Sequence, residues 1–430
     1  MSLRRFNILK NKKKIIIIGL DGVSYALIKK YTSNGLMPNL RQLIENSRFV
    51  PMQSSLPNVS SVAWSSVITG KNPGEHGIFG FTEIDPCTYK YRYPNFVDLK
   101  ASPFWEGKKA VVINVPQTYP ARELDGVLIS GFIALELEKA VYPASLISNL
   151  RKIDYRLDVN ADLAHQSMNL FFQDLNITFE NRIKCIDFLW ENEPWEMFMS
   201  VFTETDRLNH FLFEIFDDEN HQHVDFFKEF YHRIDRQIGK LVSNASSKDT
   251  IIIHSDHGFC KLDYEIYVNK LLEREGFLEF KAHHPQTVDN IDPKKSSAFV
   301  IDPGRIYINS RDRFPNGKIS VSDKVKVEDD LISLFSSEKL NGKKIVSEIF
   351  MNDEIFKGKY SEKGPDMVLL GNKGFDLKGF GLGKLSPNGS YYGKRIFSGM
   401  HTHDDAFIIY RGPKDLHDPY HIENIASLVI

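Results

Sequence analysis

The chain has 430 residues, 42% of them hydrophobic and 26% charged, with a formal net charge of −2. That length supports a large core with a main domain and a subdomain or long insertions. The near-neutral balance excludes the basic field that nucleic acid or an anionic membrane would call for.

The chain opens with a basic tail over residues 1–12 that includes Arg4, Arg5, Lys10 and Lys12. The apolar run behind it, Ile15 to Leu20, is too short for a signal peptide and breaks at Asp21. Nowhere does an apolar stretch approach the ~20 residues that span a bilayer. Cys87, Cys185 and Cys260 lie far apart with no C-x-x-C pair. A cytoplasmic, reducing setting is therefore expected.

Ile15 to Leu20 is short, β-branched and uninterrupted, which predicts a strand buried on both faces, as in parallel sheets. It ends in Asp21-Gly22. A carboxylate just past the carboxyl end of a central strand stands where open α/β sheets place ligands. The plain alternative is a turn or N-cap aspartate ahead of a helical pattern from Tyr25 to Ile44. Pro57-Asn58-Val59-Ser60-Ser61 then brings two serines to the start of an apolar helix, Val62 to Ile68. A serine there can cap backbone N–H groups or leave that positive end to a phosphate. It can also act as a nucleophile where its alkoxide is stabilised.

Phe79 to Trp105 is rich in aromatics and proline without a period, and reads as surface loop or edge structure. Lys109 to Pro116 and Gly126 to Phe132 read as strands. Pro143 to Trp190 reads as mostly helical, with Met168 to Phe179 its clearest amphipathic piece. Met197 to Phe202 is the next buried strand and runs into Asp206-Arg207-Leu208-Asn209-His210. On a helix, Asp206 and His210 share one face. They make either half a site for a divalent ion or a simple hydrogen-bonded pair.

An amphipathic helix is expected from His221 to Leu241. Thr250 to His254 is a further buried strand and delivers Asp256-His257-Gly258, two adjacent ligand types in a tight turn. His254, inside the strand, reads as a satisfied core histidine. Residues 261–395 hold no catalytic cluster. Strands at Arg305 to Asn309 and Asp366 to Leu370, an exposed helix face at Lys324 to Asp330, and Gly-rich loops at Gly371 to Gly383 and Pro387 to Ser390 suggest an inserted subdomain. Some of its strands are open to joining the main sheet. Gly399-Met400-His401 then returns a histidine just before the strand Ala406 to Tyr410.

The expected fold is α/β, a mainly parallel sheet flanked by helices on both faces, with residues 13–260 and 396–430 forming the core. Three acidic residues each follow a buried strand, two bring a histidine, a serine opens a helix and a late histidine returns. Such a set can hold two divalent cations beside a nucleophile, the arrangement that clamps both oxygens of an in-line displacement.

In the order of these motifs the chain resembles the alkaline phosphatase superfamily, most closely the type I phosphodiesterase/nucleotide pyrophosphatase family. Gly19-Leu20-Asp21-Gly22, Met37-Pro38-Asn39-Leu40, the serine turn through Thr69-Gly70, His76-Gly77-Ile78, Asp206-x-x-x-His210, Asp256-His257-Gly258 and Gly399-x-His401 carry the likeness. The resemblance implies one ion held by Asp206, His210 and His401. It implies a second held by Asp21, Asp256 and His257, with the nucleophile's oxygen completing it. The family's nucleophile precedes the Thr-Gly threonine by nine residues, which selects Ser60 over Ser61.

The implied activity is hydrolysis of a small-molecule phosphoester through a phosphoseryl intermediate, at two metal ions best suited to Zn, with Mn next. Two departures stand out. Ala63 takes the place of a phosphate-contacting asparagine of nucleotide pyrophosphatases, which argues against nucleotide substrates, and the sequence stops at Ile430 where members continue. The alternatives are a phosphomonoesterase, a cofactor-independent phosphoglycerate mutase-like enzyme, and an inactive metal-stabilised binding protein. A sulfatase is disfavoured because Ser55-Leu56-Pro57-Asn58-Val59 lacks the arginine of Ser-x-Pro-x-Arg.

Overall fold

The computed structural model describes residues 13–282, 284, 286–380, 390–393, 396–416 and 420–430. The basic tail and residues 381–389 of the expected Gly-rich loops lie outside that description. An eight-stranded sheet forms the centre. Its strands are β1 (Ile15–Leu20), β2 (Arg48–Met52), β3 (Ala110–Val115), β4 (Gly126–Ser130), β5 (Val141–Tyr142), β6 (Met197–Phe202), β7 (Thr250–His254) and β8 (Ala406–Arg411). Their order is β2-β8-β7-β1-β6-β3-β4-β5. From β7 across to β4 the strands run parallel. β8 and β5 border them antiparallel, and β2 pairs antiparallel with β8.

The helices that shape the site are α1 (Tyr25–Ser33), α2 (Pro38–Ile44), α3 (Ser60–Thr69), α4 (Met168–Asn192), α5 (Glu204–Leu212) and α6 (Val224–Ser243). Period-two alternation sorts β1 between two apolar clusters. Ile16, Ile18 and Leu20 join Leu27, Leu40, Phe171 and Phe230 of α1, α2, α4 and α6. Ile17 joins Trp64, Val67 and Ile68 of α3 on the other face. Helices thus cover both faces, as an alkaline phosphatase-like α/β sheet requires.

Several boundaries differ from the sequence reading for local reasons. The pattern from Tyr25 to Ile44 is two helices, broken where Gly35 takes φ +84° and Pro38 opens α2. Within the mostly helical stretch, α4 runs unbroken from Met168 to Asn192. Phe79 to Trp105 is not mere surface. Phe96, Leu99, Phe104 and Trp105 are buried against the α3 side of the sheet, each as a separate anchor, so no period announces them.

Strands between residues 264 and 393 form separate small sheets. One of four strands (Ala298–Ile301, Arg305–Ile308, Met367–Gly371 and Val346–Met351) packs with the helix Lys324–Ser337 around Phe299, Ile306, Leu331 and Phe335. Among the described residues, none of these strands enters the eight-stranded sheet. Gly258–Lys261 pairs antiparallel with Gly399–Thr402, in a register that sets Phe259 opposite His401.

Gly19 joins the packing of the core to the turn that carries Asp21. A Cβ at this position would lie 2.3 Å from the Trp64 ring, so only glycine lets Trp64 close on β1. Trp64 is fully buried, and its neighbours leave it little room to retreat. Overpacking at such a site costs about 1–3 kcal/mol. Gly19→Ala is therefore expected to lower stability by about that amount in chemical denaturation. An unchanged midpoint would contradict the close packing.

Candidate active site

β7, β1 and β6 are neighbours, so the residues just past their carboxyl ends meet. Asp21 follows β1, Asp256 and His257 follow β7, and Asp206 lies in the first turn of α5 behind β6, with His210 one turn on. The 258–261/399–402 pairing brings in His401, and α3 aims its first residue, Ser60, at the same place.

The alternatives left by the sequence resolve locally. Ser24 caps α1, accepting from Leu27 N at 3.1 Å, so Asp21 is not the cap. Val59 occupies the cap position of α3 without a side-chain bond. Ser60, one residue on, instead donates its hydroxyl to Asp21 Oδ1 at 3.3 Å and lies 3.3 Å from His257 Nε2. Ser61 Oγ is buried without a hydrogen-bond partner.

Asp21, Asp256 and His257 bring ligand-type atoms within 4.8 Å of one another, and so do Asp206, His257 and His401. His210 belongs to the second gathering as well, with its Nε2 3.0 Å from His401 Nε2 and 3.4 Å from Asp206 Oδ1. His401 Nε2 is 3.1 Å from Asp206 Oδ1. His257 stands between the two groups, its ring stacked on that of His401 at 3.7 Å. All seven residues singled out from the sequence are therefore together.

Their surroundings aim them. His210, His257 and His401 each place Nδ1 3.1–3.3 Å from a backbone carbonyl, of Gly399, Gly258 and Asn58 respectively. A carbonyl can only accept, so each Nδ1 carries the hydrogen and each Nε2 faces inward, that of His401 hydrogen-bonded to Asp206 and open to a cation as ligand once it gives up that hydrogen. Trp64 Nε1 donates to Asp21 Oδ2 at 3.0 Å. Gly22, at φ +63°, donates its N–H to Asp256 Oδ1 at 3.1 Å, and a Cβ there would sit 2.8 Å from Asp206 Oδ1. Thr205 and Asn209 donate to the carbonyls of Asp21 and Gly22, tying that turn to α5.

Burial pushes the Asp21 carboxyl well above its usual range, and the charges of Asp256 and Asp206 add to the effect. Burial also lifts Asp256 to about 7 against the Gly22 N–H and His401, with Asp206 adding to the rise. For Asp206 burial is outweighed by His210, His401 and Arg207, which hold it well below the carboxylate range. Burial takes His210 down to about 4.

Divalent ions fit this donor set. Asp256 Oδ2 is buried with no hydrogen-bond partner, and the Nε2 atoms of His210 and His401 converge at 3.0 Å beside Asp206 Oδ1, a gathering of ligand atoms that suits a cation among them. Of these residues His210 and His401 line a cleft of about 650 Å³, whose walls also include Asn58, Val59 and Arg207 on the core and Asp302, Asp376 and Lys378 on the inserted region.

Other expectations are corrected. His254 is a core histidine but only half satisfied. Its Nδ1 meets Ser255 O at 3.3 Å, while Nε2 has no partner. Ala63, one turn on from Ser60, is fully buried in the apolar cluster with Trp64, Val67 and Ile68. Reasoning from sequence passed over Trp64, Arg207 and Asp158 as parts of the site. Arg207 adjoins Asp206, which was its one signal.

The sheet, parallel at its centre and flanked by helices on both faces, has the alkaline phosphatase-like fold. The chain belongs to the type I phosphodiesterase/nucleotide pyrophosphatase family, whose model matches residues 15–401, and it is a hydrolase acting on phosphoric ester bonds. Its fold is similar to phosphonoacetate hydrolase from Sinorhizobium meliloti 1021 in complex with phosphonoformate, at TM-score 0.62 and 14% identity over 97% of this chain and 96% of that one. It is also similar to an inactive variant of murine ectonucleotide pyrophosphatase/phosphodiesterase 5 in complex with AMP, at TM-score 0.55 and 12% identity over 97% and 94%. The human counterpart gives the same figures. At these identities the likeness establishes the fold. No curated protein sequence matches the chain. Among the described residues, no helix is long and apolar enough to cross a membrane.

The raised Asp256 pKa has a measurable consequence. Below about pH 7 the metal-free Asp256 carboxyl keeps its proton, and Asp21 beside it is raised as well, so a cation must displace protons and affinity should rise with pH through about 7. Zinc titrations by calorimetry at pH 7, in buffers of different ionisation enthalpy, should report net proton release. Binding without proton release at pH 7 would contradict this electrostatic picture.

Proposed function

We propose that the protein is a two-metal phosphodiesterase that hydrolyses a small-molecule phosphodiester through a phosphoseryl intermediate on Ser60. The observation that carries this reading is Ser60 Oγ at 3.3 Å from both Asp21 Oδ1 and His257 Nε2, at the first turn of α3. Divalent ions held by Asp206, His210 and His401 and by Asp21, Asp256 and His257 would supply the positive charge that favours the serine alkoxide and the departing oxygen. Mixed imidazole and carboxylate donors suit Zn, with Mn next.

The chain's own groups do the rest. Ser60 Oγ gives up its hydrogen toward the Asp21 carboxylate that already accepts it and attacks phosphorus in line; the ester P–O bond breaks and the departing alkoxide takes up that proton. Backbone N–H groups at the start of α3 face the phosphoryl oxygens, with the helix dipole adding positive potential. Water then attacks the same phosphorus, the P–Oγ bond breaks, and Ser60 recovers a proton. The products are a phosphomonoester and an alcohol. Cys87, Cys185 and Cys260 are unpaired, which supports work in a reducing, cytoplasmic setting.

Bis(p-nitrophenyl) phosphate turnover tests the assignment. Chelation should abolish turnover and added zinc should restore it. Ser60→Ala should lower kcat by about 10³-fold or more with zinc content unchanged. A Ser60→Ala enzyme with full activity would remove Ser60 as nucleophile.

A further inference from the structure

Arg207 follows Asp206 on α5, and its side chain is 15% exposed yet borders the cleft beside Asn58, Val59, His210 and His401. Its Nη2 donates to Asp158 Oδ2 at 2.7 Å and its Nη1 to Asp206 Oδ2 at 3.3 Å. The guanidinium also lies over the Phe132 ring at 4.1 Å. Held on three sides, it cannot swing freely. The Asp206 carboxylate is thereby divided, one oxygen turned to the imidazoles and the other to Arg207.

The clamp has its own support. Arg182 of α4 and Glu204 at the start of α5 form a fully buried ion pair at 3.0 Å. Arg182 also donates to the Tyr155 hydroxyl and to the Leu157 carbonyl. The segment that presents Asp158 is thus pinned to the same helix that carries Arg207. Among the described residues lining the cleft, Arg207 and Lys378 are the cations, and Lys378 is paired with Asp376 at 2.6 Å on the far wall. Arg207 is the one beside the start of α3.

A guanidinium has five N–H donors in a planar fork, and the contacts to Asp158 and Asp206 use one hydrogen on each Nη. One further hydrogen on each Nη remains on a side chain that lines the cleft. During phosphoryl transfer, charge spreads over the non-bridging oxygens, and a fixed planar donor complements it better than a mobile one. We propose that Arg207 is a substrate-contacting residue that receives a non-bridging oxygen of the phosphoryl group, with Asp158 as the residue that positions it. The proposal rests on the phosphoester reading of the site and adds a protein cation to it.

Inorganic phosphate is the probe, bound to the zinc-loaded protein and followed by calorimetry, with zinc content measured in parallel. Arg207→Met should bind phosphate about 10- to 100-fold more weakly at unchanged zinc content, the size of a lost charge-assisted hydrogen bond. Asp158→Asn should show a smaller loss in the same direction. Equal phosphate affinity in Arg207→Met would overturn the proposal. So would a loss of affinity that merely tracks a loss of zinc, since Arg207 would then serve only to hold Asp206. If Arg207→Met fails to fold, Arg207→Lys keeps the charge without the fork; reduced phosphate affinity at full zinc content supports the proposal, and wild-type affinity overturns it. A wild-type protein that holds zinc but binds no phosphate would overturn the phosphoester reading itself, a result distinct from equality between wild type and variant.

Discussion

Like charge held close is the constraint on which this structure turns. Asp21, Asp206 and Asp256 are all buried, and adjacent parallel strands deliver them to one spot. Two like charges 4 Å apart repel by about 4 kcal/mol at an effective dielectric of 20, and here three carboxylates converge. Burial raises the pKa values of Asp21 and Asp256, and the neighbouring carboxylates add to the rise. Arg207 and the imidazoles outweigh burial only at Asp206. A protein that concentrates negative charge so far from water is built for a positive occupant.

Everything around the carboxylates serves to hold them in place against that repulsion. Gly19 admits Trp64, Trp64 holds Asp21, and Gly22 spans Asp206 and Asp256. Three backbone carbonyls set the imidazole tautomers, an outer layer of the kind that orients ligands in metal sites. Because Val59 takes the cap position, Ser60 is left with its hydroxyl turned to the site. The rigid parts are strand ends and helix starts, which fix side-chain positions better than loops do.

Much of this was legible in the sequence, for physical reasons. Strands buried on both faces are continuous apolar runs, so β1, β6 and β7 announced themselves, and the acidic residue at each end stood out against them. Motif order then joined Ser60 and His401 to the set, although they lie far apart in the chain. The aromatic stretch from Phe79 to Trp105 reads as surface because each of its buried rings anchors separately. His254 looks satisfied since a strand pattern says nothing about the second ring nitrogen. Asp158 is invisible, because its role depends on Arg182 reaching across from α4 to pin the preceding residues. Such long-range polar links leave no period and no spacing to read.

Anomalous diffraction from crystals grown with zinc tests the central claim most directly. The account predicts two peaks roughly 4 Å apart, one among Asp206, His210 and His401 and the other among Asp21, Asp256 and His257, with Ser60 Oγ beside the second. A single ion, or ions bound away from these side chains, would contradict it.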